Sequence, residues 1–251
     1  MENVEFAVCC GIDYSCGSLR SRIKCLNLRN NHVDYIPEID VSTIKSAREL
    51  KFYIAADMMM NVGKFKWSWK DRLKNIVAPP YIMRYLRSMR YLQYLNDNRS
   101  SSPLWFCQFL YYRVRYRKLG FKLGFCIDYR SLGYGVGIPH HGTIVVGRSS
   151  EIGNYAVLHT SICVTGTNHR IGNAAYISTG TKIISTIKTG DNITFGANSV
   201  VNKDFPGDCM VAGVPAKIIK PSLPWYVRDG QMFSERVDSV EKLKAEMLGV
   251  E

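Results

Sequence analysis

The sequence lacks the features of a membrane-spanning or secreted protein. No apolar run approaches the ~18 residues that a helix needs to cross a bilayer. The opening residues, Met-Glu-Asn-Val-Glu, are acidic where a signal peptide would be basic. The eight cysteines form no Cys-x-x-Cys pair and show no metal-binding spacing. These absences predict a cytoplasmic protein with reduced thiols.

Acidic residues are scarce in one segment of the chain. The net charge is +12, and the segment from Lys64 to Lys122 contains 14 lysines and arginines against only Asp71 and Asp97. Such a segment is either a solvated helical face or a docking surface. A docking surface would suit an anionic glycan precursor or an acidic membrane, and it would place the protein at the inner face of the membrane. No motif indicates nucleic-acid binding.

Helical patterns begin after an N-terminal extension, residues 1–45, that has no sustained period. Ser46 and Glu49 have the spacing of a capping box, and apolar residues follow at helical intervals. Pro79-Pro80 interrupts the pattern, which resumes as an apolar stripe beside a basic one. The pattern predicts an α-helical region, basic and aromatic, over residues 46–122.

The next zone, residues 123–220, has a period of six. A frame that starts at Val146 contains ten residues, nine of them apolar, with one extra residue after the fourth. Six-residue spacing is typical of a parallel β-helix with three short sides per turn, in which the frame residues fill one interior. A tail with a short helix follows at 221–251. The frame residues are Val146, Ile152, Leu158, Val164, Ile171, Ile177, Ile183, Thr189, Phe195 and Val201.

Two local features of the repeat carry further predictions. Glycine follows five frame residues, which predicts corners with positive φ. The extra residue lies just before His169, and we expect it to direct the His169 side chain out of the coil toward a neighbouring subunit.

Two segments resemble a known family. The segment FGANSVVNKDFP at 195–206, followed by VAGVPAKIIK at 211–220, resembles the end of the β-helix in hexapeptide-repeat acyltransferases. The segment GYGVGIPHHGTIVVG at 133–147 resembles the active-site coil of the serine acetyltransferase branch, which includes enzymes that acetylate surface polysaccharides. The resemblance implies a left-handed β-helix, a homotrimer, and acetyl-CoA as cosubstrate.

The resemblance also implies catalytic residues. His140 matches the general base of the branch, and an alcohol attacks a thioester only if a base with a pKa near 7 takes its proton. His169, in an Asn-His-Arg context, is the second candidate. Phe125 stands where the branch has an aspartate that supports the histidine, and the loop after the second active-site coil is nearly absent. The predicted acceptor is therefore a sugar hydroxyl of a surface polysaccharide or its precursor, and the alternative is L-serine.

By the same resemblance, acetyl-CoA lies in the groove between two β-helices. A backbone N–H near Thr179 or Gly180 is expected to stabilise the thioester oxyanion. Lysines are expected to face the phosphates of the cofactor. The residues implied at the cofactor are Thr179, Gly180, Ala197, Asn202, Lys203, Lys217 and Lys220.

Three other interpretations compete with direct acetyl transfer. Acyl transfer through a cysteine would need Cys163 or Cys209 beside a base, and Cys163 is expected in the core. A metal-dependent hydratase would need clustered histidines, but His159 and His169 lack the expected ligand spacing, so no metal is predicted. A trimeric scaffold would bind no acetyl-CoA.

Overall fold

The computed structural model describes residues 43–249, so the predicted N-terminal extension lies, up to residue 42, outside the described residues. Four helices come first: α1 (Ala47–Val62), α2 (Trp69–Val77), α3 (Tyr81–Asp97) and α4 (Pro103–Leu123). Short strands follow: β1 (Phe125–Ile127), β2 (Ile144–Val146), β3 (Ser150–Ile152), β4 (Val157–Leu158), β5 (Ile162–Val164), β6 (His169–Ile171), β7 (Tyr176–Ile177), β8 (Lys182–Ile183), β9 (Thr194–Phe195), β10 (Val200–Val201), β11 (Cys209–Gly213) and β12 (Ala216–Pro221). The described chain ends with α5 (Trp225–Arg228) and α6 (Gln231–Leu248).

The strands form a parallel β-solenoid with three sides. The first sheet has the order β1-β2-β5-β8-β10, the second contains β3 and β6, and the third has the order β12-β11-β9-β7-β4. Only the β11–β12 pair is antiparallel among the described strand pairs. Every residue of the six-residue frame lies in the interior and is at most 2% exposed. The predicted fold class, a parallel β-helix after a helical region and before a C-terminal helix, is confirmed.

The helical region begins where the capping residues predict. The Ser46 hydroxyl accepts a hydrogen bond from the Glu49 backbone N–H at 3.1 Å, and the Glu49 carboxylate accepts one from the Lys45 N–H at 2.7 Å. These bonds satisfy backbone donors that a helix start otherwise leaves free. A second capping box, formed by Ser68 and Asp71, begins α2.

The glycines after the frame residues do not have positive φ, so this part of the prediction is wrong. At four of the five, Gly153, Gly172, Gly190 and Gly196, glycine is instead required because the next turn of the coil passes very close. A Cβ atom at Gly153 would lie 2.8 Å from the backbone nitrogen of Asn173. Positive φ is found two positions after these same four glycines, at Tyr155, Ala174, Asn192 and Asn198.

Gly172→Ala should therefore destabilise the coil. The added methyl group would press on the carbonyl group of Gly190 in the next turn, a contact between two backbones that cannot rotate away. Overpacking of this kind typically costs about 1–3 kcal/mol, which a urea unfolding curve would detect. Gly147→Ala is the matched control, because its nearest neighbour, the Val164 carbonyl oxygen, would lie at an ordinary 3.5 Å. Equal midpoints for both variants would contradict this account.

A buried ion pair joins the helices to the first turn of the coil. The Arg90 guanidinium donates to the Asp57 carboxylate at 2.8 Å, and both side chains are almost fully buried. Arg90 also donates to the backbone carbonyl groups of Leu132 and Gly133, while Asp57 accepts from the Val136 N–H at 3.1 Å. Because backbone groups of the coil complete the pair, α1 and α3 are fixed to residues 132–136.

The C-terminal segment packs on its own chain. Trp225 is buried, and its indole N–H donates to the Tyr155 carbonyl oxygen at 2.8 Å. The phenol groups of Tyr134 and Tyr155 both donate to the Glu241 carboxylate of α6. The segment from Trp225 onward is thus held against α1 and the coil of the same chain. Within residues 43–249, no helix is both long and apolar enough to cross a bilayer.

Candidate functional site

One corner of the coil carries His140. This corner, here called the histidine corner, connects the third sheet to the first and comprises residues 139–142, 159–161, 178–180 and 196–198 in successive turns. The Leu158 N–H donates to the Gly137 carbonyl oxygen at 2.9 Å, so the two turns are in register just before the corner. His140 is exposed there, as is His141.

His159 lies one turn along from His140 at the histidine corner. Its Nε2 atom is 2.8 Å from the Tyr176 hydroxyl, and the Arg228 guanidinium lies 4.9 Å from the centre of the Tyr176 ring. Burial lowers the pKa of His159, and the charge of His140 lowers it further, against the opposing effect of Asp229. His159 is therefore a neutral imidazole beside the exposed His140.

The predicted cofactor residues lie at three places on the coil. Thr179, Gly180 and Ala197 lie at the histidine corner in the turns after His159. The Gly180 N–H already donates to the Thr160 carbonyl oxygen at 3.1 Å, so it is not free to stabilise an oxyanion. Asn202 and Lys203 are exposed at the next corner, which joins the first sheet to the second, and Lys217 and Lys220 are exposed on β12.

The side chain of His169 points into the coil, so the expectation that it leaves the coil is wrong. His169 is fully buried and pairs in register with Ser150 of the preceding turn. The extra residue is accommodated by positive φ at Gly166 and Asn168, which turns the chain without displacing the histidine. Burial lowers the pKa of His169, and the nearby Thr165 backbone opposes this only in part.

A polar cleft of about 320 Å³ opens beside His169, between the second sheet and the end of α3. It is here called the arginine cleft. Neither nitrogen of the His169 ring, nor the Ser150 hydroxyl, has a geometrically sound hydrogen-bond partner among residues 43–249. The other charged groups that line the arginine cleft are Asp97, Arg130, Arg148, Glu151 and Arg170.

The arginine cleft has groups to hold a small molecule that carries one positive and one negative charge. Arg170 lies 3.4 Å from Glu151, and the Asp97 carboxylate accepts from the Ile44 N–H at 3.1 Å. Arg130 and Arg148 form no ion pair with any described residue. The arginines recur at intervals of roughly one turn of the coil, a signal that sequence reasoning missed because it followed the apolar frame.

The two cysteines considered as acyl carriers do not suit that role. Cys163 lies on the outer face of β5, half-buried, so its predicted core position is wrong. Cys209 is buried and donates to the Pro206 carbonyl oxygen, and burial raises the pKa of its thiol to about 11. A thiol with so high a pKa is a poor nucleophile near neutral pH. Over the described residues, no three His, Cys, Asp or Glu side chains are grouped to hold a metal ion.

No protein-family model matches the chain, but individual relatives do. It is 33% identical over 95 residues to a serine acetyltransferase of Synechococcus elongatus, which covers 35% of this chain and 39% of the relative. It is 31% identical over 155 residues to that of Buchnera aphidicola subsp. Schizaphis graminum, which covers 56% and 59%. The chain therefore spans less than two thirds of the length of these relatives.

Solved structures agree on the fold. A serine acetyltransferase in complex with CoA superposes with a TM-score of 0.53 at 23% identity, covering 69% of this chain and 71% of that one. The Neisseria gonorrhoeae serine acetyltransferase gives 0.52 at 20% identity, covering 70% and 67%. The resemblance to hexapeptide-repeat acyltransferases of the serine acetyltransferase type is confirmed. At these identities, the structures establish the fold of this chain and nothing finer.

The predicted polysaccharide acceptor is wrong, because the relatives that the chain matches are named serine acetyltransferases. The misleading observations were Phe125 at the position of the supporting aspartate, the nearly absent loop, and the basic segment of the helical region. Part of its charge serves internal packing, since Arg90 is buried against Asp57 and the Arg87 guanidinium lies 5.7 Å from the Tyr91 ring centre. These relatives also give no support for contact with a membrane or a lipid-linked glycan.

Proposed function

We propose that the chain is an acetyl-CoA-dependent O-acetyltransferase whose acceptor is the hydroxyl group of L-serine. The observation that carries the proposal is the exposed His140 at the histidine corner of a coil shared with serine acetyltransferases. The similarity of the chain to named serine acetyltransferases supports serine as the acceptor and acetyl-CoA as the donor.

In this proposal, His140 is the general base. Its imidazole takes the proton of the serine hydroxyl as the oxygen forms a bond to the thioester carbon. The same proton then passes to the sulfur atom of CoA as the carbon–sulfur bond breaks. Thr179 and Ala197, which lie at the histidine corner in later turns, border the path of the pantetheine arm. Lys203, Lys217 and Lys220 are exposed and offer positive charge to the phosphates.

The arginine cleft is the proposed site for the acceptor. A zwitterion such as serine needs a cationic partner for its carboxylate and an anionic partner for its ammonium group. Arg148 and Arg170 supply the first, and Asp97 or Glu151 supplies the second. His169 borders the cleft, but its ring nitrogens are buried and cannot be reached from it. In this proposal the role of base therefore belongs to His140.

The positions of these two sites support a trimer. The histidine corner and the arginine cleft lie at different corners of one coil, so the His140 of a chain does not face its own cleft. In a homotrimer with three-fold symmetry, one corner of each subunit meets a different corner of its neighbour. The His140 of one subunit would thus serve the arginine cleft of the next.

Release of CoA from acetyl-CoA should occur with L-serine, and Arg170→Ala should raise the KM for serine by about 10–100-fold. That range corresponds to the loss of a hydrogen bond to a charged group, about 1.5–3 kcal/mol. Steady-state kinetics, with a thiol reagent to detect free CoA, would measure both the release of CoA and the KM for serine. The KM for acetyl-CoA is the internal control and should change little. CoA release with an amino sugar but not with serine would contradict the proposal.

A mixing experiment tests whether neighbouring subunits share one active site. Trimers assembled from His140→Ala and Arg170→Ala chains together contain some interfaces with both residues intact, so activity at low serine should exceed that of either variant alone. Mixtures that show only the sum of the separate activities would place both residues in the same subunit's site.

A further inference from the structure

The pair formed by His159 and Tyr176 is not explained by the fold alone. His159 is half-buried at a corner whose preceding turn carries His140 and His141 and whose following turns carry small residues, among them Thr179 and Ala197. Its Nε2 atom is held by the Tyr176 hydroxyl at 2.8 Å, and no described residue bonds to its Nδ1 atom. A water molecule or a ligand must therefore satisfy that nitrogen.

We propose that His159 is a second catalytic residue, which donates a hydrogen bond from Nδ1 to the oxyanion formed during acetyl transfer. This inference rests on the proposed function and adds a group to it. Adjacent turns of a parallel coil are about 4.8 Å apart, and the charge of His140 lowers the pKa of His159, so the two histidines are neighbours at the histidine corner. A base on one turn and a donor on the next can act on the hydroxyl and the thioester carbonyl group at once.

The surroundings of His159 are compatible with the Nδ1–H tautomer that the proposal requires. Tyr176 stays protonated near neutral pH, because burial raises the pKa of its phenol. Its hydroxyl can then donate to the Nε2 atom of a neutral His159, which leaves the proton of the imidazole on Nδ1. Arg228 holds the Tyr176 ring in place, because its guanidinium stacks on the ring and donates to the Thr194 hydroxyl at 2.9 Å.

The charges around His159 keep it neutral. The groups that face it are His140, Tyr176 and Asp229, and Arg228 neutralises Asp229 at 2.7 Å. When His140 takes up the hydroxyl proton, its positive charge further disfavours a proton on the Nε2 atom of His159. His159 thus remains a hydrogen-bond donor through the step, while the Gly180 N–H is already engaged.

In the reaction, the serine oxygen bonds to the thioester carbon and its proton moves to His140. The electron pair of the carbonyl π bond moves to the carbonyl oxygen, which accepts the hydrogen bond from His159 Nδ1–H. When that pair returns, the carbon–sulfur bond breaks, and the proton on His140 passes to the leaving sulfur. His159 gains and loses no proton in the cycle.

His159→Leu should lower kcat by about 10²–10³-fold with little change in the KM for acetyl-CoA, the effect of losing one oxyanion donor. His159→Asn keeps an N–H donor at the same number of bonds from Cβ as Nδ1 and should restore part of the loss. His141→Ala, a neighbouring exposed histidine with no part in the proposal, is the control and should keep wild-type kcat. Equal kcat for the Leu and Asn variants, or no loss in either, would overturn the proposal.

A spectroscopic measurement separates this inference from the proposed function. Long-range ¹H–¹⁵N spectra of the full chain with ¹⁵N-histidine should show one neutral Nδ1–H imidazole at pH 7, absent in His159→Asn and altered in Tyr176→Phe. A wild-type chain without activity toward serine would overturn the proposed acceptor, and the spectrum would still report the tautomer. An Nε2–H or charged imidazole at His159 would overturn the present inference whatever the acceptor.

Discussion

His140→Ala should lower kcat by about 10²–10⁴-fold, the contribution typical of a general base in proton transfer. The serine hydroxyl has a pKa far above neutrality, so without a base only a small fraction attacks the thioester productively. Affinity for acetyl-CoA should be nearly unchanged, because the histidine is exposed and holds no other described element in place. Calorimetric titration with CoA and steady-state kinetics with L-serine would measure the two effects separately.

The controls for His140 come from the other histidines. His141→Ala removes an adjacent exposed imidazole and should leave kcat unchanged. His169→Ala removes a buried side chain from the wall of the arginine cleft, so it should act mainly on the KM for serine. A His140→Ala variant with wild-type kcat would show that another group takes the proton, and a large kcat loss in His169→Ala alone would identify that group.

The interior of the coil could be predicted from the sequence because one requirement decides it. A position that faces the interior must be apolar in every turn, and Ile152, Ile171 and Ile177 show this at fixed spacing. Thr189 is the one polar residue of the six-residue frame. Its buried hydroxyl accepts a hydrogen bond from the Gly172 N–H at 3.4 Å. The spacing was therefore more informative than residue type at any single position.

The direction of His169 could not be predicted from the same pattern. One extra residue in a turn can be accommodated either by displacing a side chain or by changing backbone angles, and both give the same sequence. The structure uses the second route at Asn168, a residue type that tolerates left-handed φ. The arginine cleft was missed for a related reason, since Asp97 reaches it from α3, far away in the sequence.

The burial of Arg90 was also hidden in the sequence. Arg84, Arg87 and Arg90 form one basic stripe, and nothing in their spacing distinguishes the member that is buried. The difference comes from Asp57 on another helix and from backbone carbonyl groups of the coil, which together satisfy the guanidinium. Net charge along a segment thus overestimates the charge that the segment offers to a partner.

Asp57→Ala should lower the free energy of unfolding by about 3–5 kcal/mol, the cost of leaving one member of a buried ion pair unpaired. The Arg90 guanidinium would keep its bonds to Leu132 and Gly133 but lose its counter-ion, and the Val136 N–H would lose its acceptor. Urea unfolding followed by far-UV circular dichroism would measure the loss. Lys64→Ala, which removes one member of the more exposed Lys64–Asp71 pair, is the control and should shift the midpoint little.

The Asp57 network also bears on catalysis, because it fixes residues 132–136, which lead directly to His140. Asp57→Asn keeps an oxygen acceptor for the Val136 N–H but removes the negative charge, so its stability should lie between wild type and Asp57→Ala. If the network positions the histidine corner, the folded Asp57→Asn variant should show a lower kcat with an unchanged KM for acetyl-CoA. A folded variant with wild-type kcat would show that the strand pairing of the coil positions His140 without help from the helices.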